Sequence, residues 1–353
     1  MRKFALSLAI IFFLSVITMA CGSSQTSESS GEQGTENTNE NNGGKTIQID
    51  TAIFHSETDP FADTWKEWVQ RVEELSGGSV QVEPFYSGSL ISNADTLNAI
   101  KDGSVGMGVT AAAVMSGQIP ALAQLEVLGA YPNDSDQFES LVNEIWPLLK
   151  DIFHQQEVEF LWFQGSPGAV VISPDKFFKT PEDYIGVKIR GAGRWQTEQI
   201  KSLGGNPVAV DIGEMYLALQ NKTIDAALSL NTLAYSFKFY EVAPKVTDLR
   251  VPVNATFYLM NKKVWEQLPE DLKMNIDELG KELTFKSYRH LHDIQNKAIE
   301  DLKANGAEVY YLTDEEHTKF ISQMSPVFEQ LAATDGEQEK KLAEIMDKYR
   351  NPN

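Results

Sequence analysis

The sequence predicts an α/β protein built as two lobes. Strand and helix patterns alternate along residues 46–353, and these roughly 300 residues exceed what one hydrophobic core usually spans. A third observation is a helical pattern too long for one lobe, from about Glu270 to Ala304.

The elements follow in order. Residues 46–54 alternate as a strand does, and Pro60–Leu75 has helical spacing that places Trp65, Trp68, Val69 and Val72 on one side. Ser76-Gly77-Gly78 stops that helix, and residues 80–85 resume as strand. A helix near residues 94–101 ends at Asp102-Gly103, and residues 105–109 read as a short buried strand. This β-α-β-α-β order implies parallel or mixed sheets with helices on their faces. Strand patterns recur at 158–162, 170–172, 187–189, 207–210 and 226–230. Two such lobes enclose a cleft. Pro269 opens the long helix and Asn305-Gly306 stops it; at 1.5 Å per residue it spans about 50 Å and should brace both lobes.

The N-terminus has a different composition. Arg2 and Lys3 precede an apolar run, Phe4 to Ala20, and then the chain's single cysteine, Cys21. This is the order of a signal peptide over residues 1–20. As a helix the run could just reach across a bilayer, which makes an uncleaved anchor the competing reading. Thr18-Met19-Ala20-Cys21 resembles a lipobox, with Thr18 where leucine is usual, so Cys21 is expected to carry lipid, palmitate included, after cleavage. Residues 22–45 contain no aromatic or aliphatic side chain, cannot bury enough apolar surface to fold, and read as a tether. The formal net charge of −20 argues against nucleic acid and anionic lipid surfaces as partners. Any bound anion must therefore be met by a few local cations.

Five segments carry a resemblance: Gly186-Val-Lys-Ile-Arg190, Leu203-Gly-Gly-Asn-Pro207, Glu214-Met-Tyr-Leu-Ala-Leu-Gln220, Ile224-Asp225-Ala226 and Lys238-Phe-Tyr-Glu-Val242. In this order and spacing they resemble the DctP family of TRAP transporter solute-binding proteins. Gly88-Ser-Leu90, Asp102-Gly103 and Leu268-Pro-Glu-Asp-Leu272 fit the same family. The resemblance implies a periplasmic-binding-protein-like fold, with mixed sheets, hinge strands and a long bracing helix. Lobe one is expected over 46–167 with about 254–295, and lobe two over 168–253 with about 296–353. The implied function is an extracytoplasmic receptor, lipid-anchored to the outer face of the cytoplasmic membrane. It would deliver a small organic carboxylate to TRAP membrane subunits for ion-driven uptake, without a cofactor.

The resemblance also implies site residues. In the family the arginine of the Gly-x-Lys-x-Arg segment clamps the ligand carboxylate, and Arg190 holds that position. A guanidinium stays charged and its planar fork matches two carboxylate oxygens. Composition alone would instead pair Arg190 with one of the many surface carboxylates. Where many members carry a second arginine, this chain has Gln164-Gly-Ser-Pro-Gly168, which favours a monocarboxylate; Arg194 is the candidate for compensation, against a solvated first-turn arginine. Ser229 and Asn231 stand near a family asparagine, against turn residues bonding their own backbone. The loop around Ala111 is apolar where sugar-acid binders are polar, so a small aliphatic or an aromatic acid is expected. Trp162, Trp195 and Tyr235 are candidate aromatic walls, although large aromatics are more often core. His55 ends the first strand, near the family's first ligand-contacting loop.

Enzymatic readings find no support. The sequence has no Gly-x-Ser-x-Gly, P-loop or His-Glu-x-x-His segment, and its five histidines are scattered. The alternatives are a binding protein for an ABC importer and a sensory lipoprotein.

Overall fold

The computed structural model describes residues 46–350 apart from Asn133 and Thr334. The expected signal peptide, Cys21 and the expected tether lie outside the described residues. Among the described residues, no helix is long and apolar enough to cross a membrane.

Five strands form the first sheet: β1 (Ile47–Ile53), β2 (Val80–Phe85), β3 (Met107–Ala111), β4 (Val158–Gly165) and β10 (Ala255–Asn261), in the order β2-β1-β3-β10-β4. The first three strands pair in parallel, as the β-α-β order requires. β10 enters antiparallel to both β3 and β4, so the sheet is mixed. The second sheet has the order β11-β9-β5-β8-β6-β7. Its strands are β5 (Ala169–Ser173), β6 (Lys188–Gly191), β7 (Asn206–Ala209), β8 (Ala226–Leu230), β9 (Lys245–Asp248) and β11 (Glu308–Tyr311). Each sheet with its helices makes one lobe.

Helices fill the connections: α1 (Pro60–Leu75), α2 (Thr96–Asp102), α3 (Ala112–Met115), α4 (Ser135–His154), α5 (Arg194–Ser202), α6 (Met215–Gln220), α7 (Asn231–Ser236) and α8 (Lys262–Glu266). α1 begins where Asp59 accepts a hydrogen bond from Phe61 N and Pro60 supplies a preset first turn. It buries Trp65, Trp68 and Val72 of the face anticipated from spacing and leaves Val69 half-buried.

α9 runs from Glu270 to Ala304, with the bounds expected from Pro269 and Asn305-Gly306. It lies on α1 and β4 of the first lobe and on α7 and β11 of the second, so one rigid rod contacts both. Contact with β4 is close: a Cβ on Gly280 would stand 2.2 Å from Leu161 O. α10 (Asp314–Ala332) packs on α5. Residues 337–350, expected in the second lobe, instead run as α11 (Glu337–Arg350) against α4, where Lys348 and Tyr349 bond Glu144 at 2.8 and 2.6 Å. Leu342 and Met346 are buried along α11, and its apolar stripe needs the α4 face to cover it.

The chain crosses between sheets after β4 and again before β10, and the crossings are bonded to each other. Val253 N donates to Ser166 O at 2.9 Å, Tyr131 OH donates to Asn254 O at 2.6 Å, and Leu128 pairs with Val253 as an isolated bridge.

Candidate functional site

A cavity of about 50 Å³ lies between the two sheets. Phe54, His55, Asn93 and Ala111 line it from the first lobe, Arg190, Ser229 and Leu233 from the second, and Asn254 from the crossing before β10. One water needs about 10–15 Å³ of such space, so the cavity suits a handful of non-hydrogen atoms. A larger space of about 680 Å³ borders α10 and the crossing at Arg250–Pro252, but Arg190 and His55 do not line it.

Arg190 comes from β6, between parallel neighbours β7 and β8, which hold its backbone in register. Its Nε donates to Val210 O at 3.0 Å and one Nη to Leu228 O at 3.3 Å. The side chain is buried, which lowers its pKa to about 10, while Asp211 nearby pulls the other way. The guanidinium therefore remains charged at neutral pH. Two carbonyls fix its orientation, and the N–H groups they do not engage remain for an anion. A guanidinium can give a carboxylate two parallel N–H···O bonds.

His55 follows β1, stacked on Phe61 at 4.8 Å and against Phe54 at 3.9 Å. Burial holds its pKa down to about 3, so the ring is neutral. Among the described residues neither ring nitrogen has a hydrogen-bond partner, and an Asp59 carboxylate oxygen stands 3.8 Å from Nδ1. A buried donor without a partner is costly, and a ligand in the cavity would supply one. Asp59 is itself buried, its pKa pushed up to about 6 by desolvation, and it accepts from Ser236 Oγ across the lobe boundary at 2.9 Å.

The structure thus brings together four residues anticipated from sequence, Arg190, Ser229, His55 and Ala111. It places five others elsewhere. Asn231 begins α7 rather than extending β8, so it does not share a strand face with Ser229; its side chain bonds Thr232 N at 2.6 Å and Gln295 O at 3.5 Å. Trp162 is fully buried, stacked on Tyr258 at 3.7 Å between centroids. Trp195 is buried at the start of α5, away from the cavity lining, and Arg194 is exposed with its guanidinium 5.1 Å from the Trp195 ring centroid. Tyr235 stands at the surface of α7, stacked on Tyr240.

Three polar residues at this boundary were not anticipated: Asn93, Asn254 and Glu126. Glu126 is fully buried; its Oε1 accepts Trp195 N at 2.6 Å and Gln196 N at 3.1 Å, at the N-terminus of α5, and Ser116 Oγ donates to its other oxygen. Its sequence signal was available, a single acid inside the otherwise uncharged run Ile119–Tyr131. Among the described residues, no cluster of His, Cys, Asp and Glu could hold a metal ion.

The profile of bacterial extracellular solute-binding protein family 7, DctP, matches residues 51–335. The chain belongs to the DctP family. As a DctP protein it is an extracellular solute-binding receptor of the TRAP type, and it is similar to several characterised members. It is 23% identical over 261 residues to the C4-dicarboxylate-binding protein DctB of Bacillus subtilis (strain 168), covering 73% of this chain and 75% of that one. With the ectoine-binding periplasmic protein TeaA of Halomonas elongata it shares 26% over 306 residues, 83% of this chain and 85% of that one. The fold matches a TRAP periplasmic solute-binding protein from Desulfovibrio salexigens with bound orotic acid, with TM-score 0.81, 22% identity and coverage of 86% and 99% of the two chains. It also matches the pyroglutamic-acid receptor DctP7 of Bordetella pertussis, with TM-score 0.78, 14% identity and coverage of 86% and 100%.

Proposed function

We propose that this DctP protein is a receptor, not an enzyme, that captures a small organic monocarboxylate, aliphatic or aromatic, and hands it to TRAP membrane subunits. The observation that carries this reading is the buried, carbonyl-oriented Arg190 lining a small cavity between the lobes. Among the described residues that line the cavity, Arg190 is the single cation, since His55 is neutral there. One cation balances one carboxylate, and a second buried carboxylate would stand uncompensated. The cavity volume favours the short end of the range. Ala111 and Leu233 supply apolar wall from opposite lobes. Contact with both lobes at once lets the ligand favour the closed arrangement by its differential affinity. Anchoring by lipid on Cys21 at the outer face of the cytoplasmic membrane, through the tether of residues 22–45, completes the proposal.

The test is a thermal-shift panel of 2-oxo acids, hydroxy acids, aromatic acids, dicarboxylates and sugar acids on the purified protein. A ligand at 100 times its Kd stabilises by about 2.7 kcal/mol, several degrees in Tm. A monocarboxylate that shifts the wild type and binds Arg190→Ala at least tenfold more weakly supports the reading. Silence across the panel in ligand-free protein, or a hit unaffected by Arg190→Ala, overturns it.

A further inference from the structure

Asn254 sits where the chain crosses from the second sheet into β10, with a left-handed backbone at φ 58° that asparagine tolerates better than most residues. Both oxygens of the residue are committed. Its carbonyl accepts from Tyr131 OH at 2.6 Å, and its side-chain oxygen accepts from Ala113 N at 2.9 Å. A backbone N–H can only donate, so this bond settles which end of the amide is oxygen. The remaining group is the side-chain NH₂. It makes no hydrogen bond to the described residues, and the residue lines the same cavity as Arg190.

Among the donors the cavity offers are two of different kinds, a charged guanidinium from the second lobe and a neutral amide from the crossing, its oxygen held by Ala113 N. The cavity is too small for them to serve separate molecules. An amide N–H₂ left facing an alkyl chain would lose its water without a replacement partner. We propose that Asn254 is a ligand-contacting, specificity-determining residue that selects short acids bearing a second acceptor oxygen, a 2-oxo acid or a close relative, within a few bonds of the carboxylate. This rests on the receptor reading above and deepens it. The second oxygen is neutral, because no second cation faces the cavity among the described residues. The neutral His55, with both ring nitrogens unpartnered, offers one more donor to the same oxygen set.

Isothermal titration of the full chain with two matched pairs, propanoate against pyruvate and butanoate against 2-oxobutanoate, tests the proposal. Wild type should bind each oxo acid at least tenfold more tightly than its deoxy partner, the discrimination expected when a site built around a hydrogen bond meets an analogue lacking that group. Asn254→Asp keeps an oxygen for Ala113 N and turns the NH₂ into an acceptor, and Asn254→Gly suits the left-handed backbone while removing both groups. In both variants the ratio should fall to within about twofold. The wild-type ratio needs no variant to fold and stands as an independent measurement. Binding of both members of a pair with a ratio near one, or a ratio that persists in both variants, overturns the role of Asn254 and leaves the receptor reading intact. Absence of binding by all four acids, with no effect of Arg190→Ala on any panel hit, overturns the receptor reading and this inference together.

Discussion

Arg190 and Trp162 are both buried and both were candidates for ligand contact, yet Arg190 lines the cavity and Trp162 does not. Arg190 has its Nε and one Nη engaged by carbonyls and lines the cavity. Trp162 has its ring stacked on Tyr258 inside the first lobe, where Tyr258 also contacts Trp65 at 5.8 Å. Removing each should separate affinity from stability. Arg190→Ala is expected to weaken binding at least tenfold while moving the ligand-free Tm by only a few degrees. Trp162→Ala is expected to cost about 3–5 kcal/mol in urea unfolding, the range for a large aromatic lost from a packed core, with ligand Kd in the surviving folded protein nearly unchanged. Nothing in residue type separated the two beforehand, because a tryptophan near a cleft and a tryptophan in a core look alike in sequence.

α5 shows how an element can depend on a distant side chain. Its N-terminus begins at Gly193-Arg194 with no cap from its own sequence, and Glu126, 69 residues before Trp195, accepts the first free amides instead. Gln199 of the same helix exchanges two bonds with the backbone of Leu128, at 2.9 and 3.2 Å. Desolvation pushes the Glu126 carboxyl up to about 7 from 4.5, against the opposing pull of Ser116, the α5 amides and Arg194. The folded protein therefore keeps a proton that the unfolded chain releases between about pH 4.5 and 7. Its contribution to stability is full below pH 4.5 and is lost as pH rises through 7. Glu126→Gln retains an oxygen for the α5 amides and a donor for Ser116 but does not titrate. Urea unfolding from pH 4 to 8 should show the wild type losing stability relative to Glu126→Gln across that window, by on the order of 3 kcal/mol at most. A constant difference between the two proteins would show that Glu126 does not titrate there.

At the scale of the molecule, the lobes meet closely where Gly193 approaches α3. A Cβ there would stand 1.9 Å from Ala113 O and 2.6 Å from a Glu126 oxygen, so any other residue must push the second lobe away from the first. Gly193→Ala is expected to weaken ligand affinity at least tenfold although position 193 lies outside the cavity lining, and to enlarge the ligand-bound radius of gyration seen by X-ray scattering. A variant with wild-type affinity and wild-type dimensions would show that the contact yields without cost.

Local pattern was enough for much of this protein. The mixed α/β class, the bounds of α1 and α9 and most short strands follow from apolar periodicity punctuated by Pro, Gly and Asn, because those signals act over a few residues. Arg190, Ser229, His55 and Ala111, which line the cavity, were named because their positions match those of the family that this chain's segments resemble. The rest depended on which surfaces meet. β10 inserts between β3 and β4 from nearly a hundred residues away in sequence, α11 crosses to α4 to cover its own apolar stripe, and α7 starts one residue too early for Asn231 to reach the cavity. Asn254 and Glu126 take their places from backbone amides of other segments, Ala113 and Trp195, and no local signal tells a polar side chain which distant N–H it will meet. Secondary structure is written in short-range sterics and hydrogen bonding; the site is assembled by long-range packing, and only the folded chain brings its donors together.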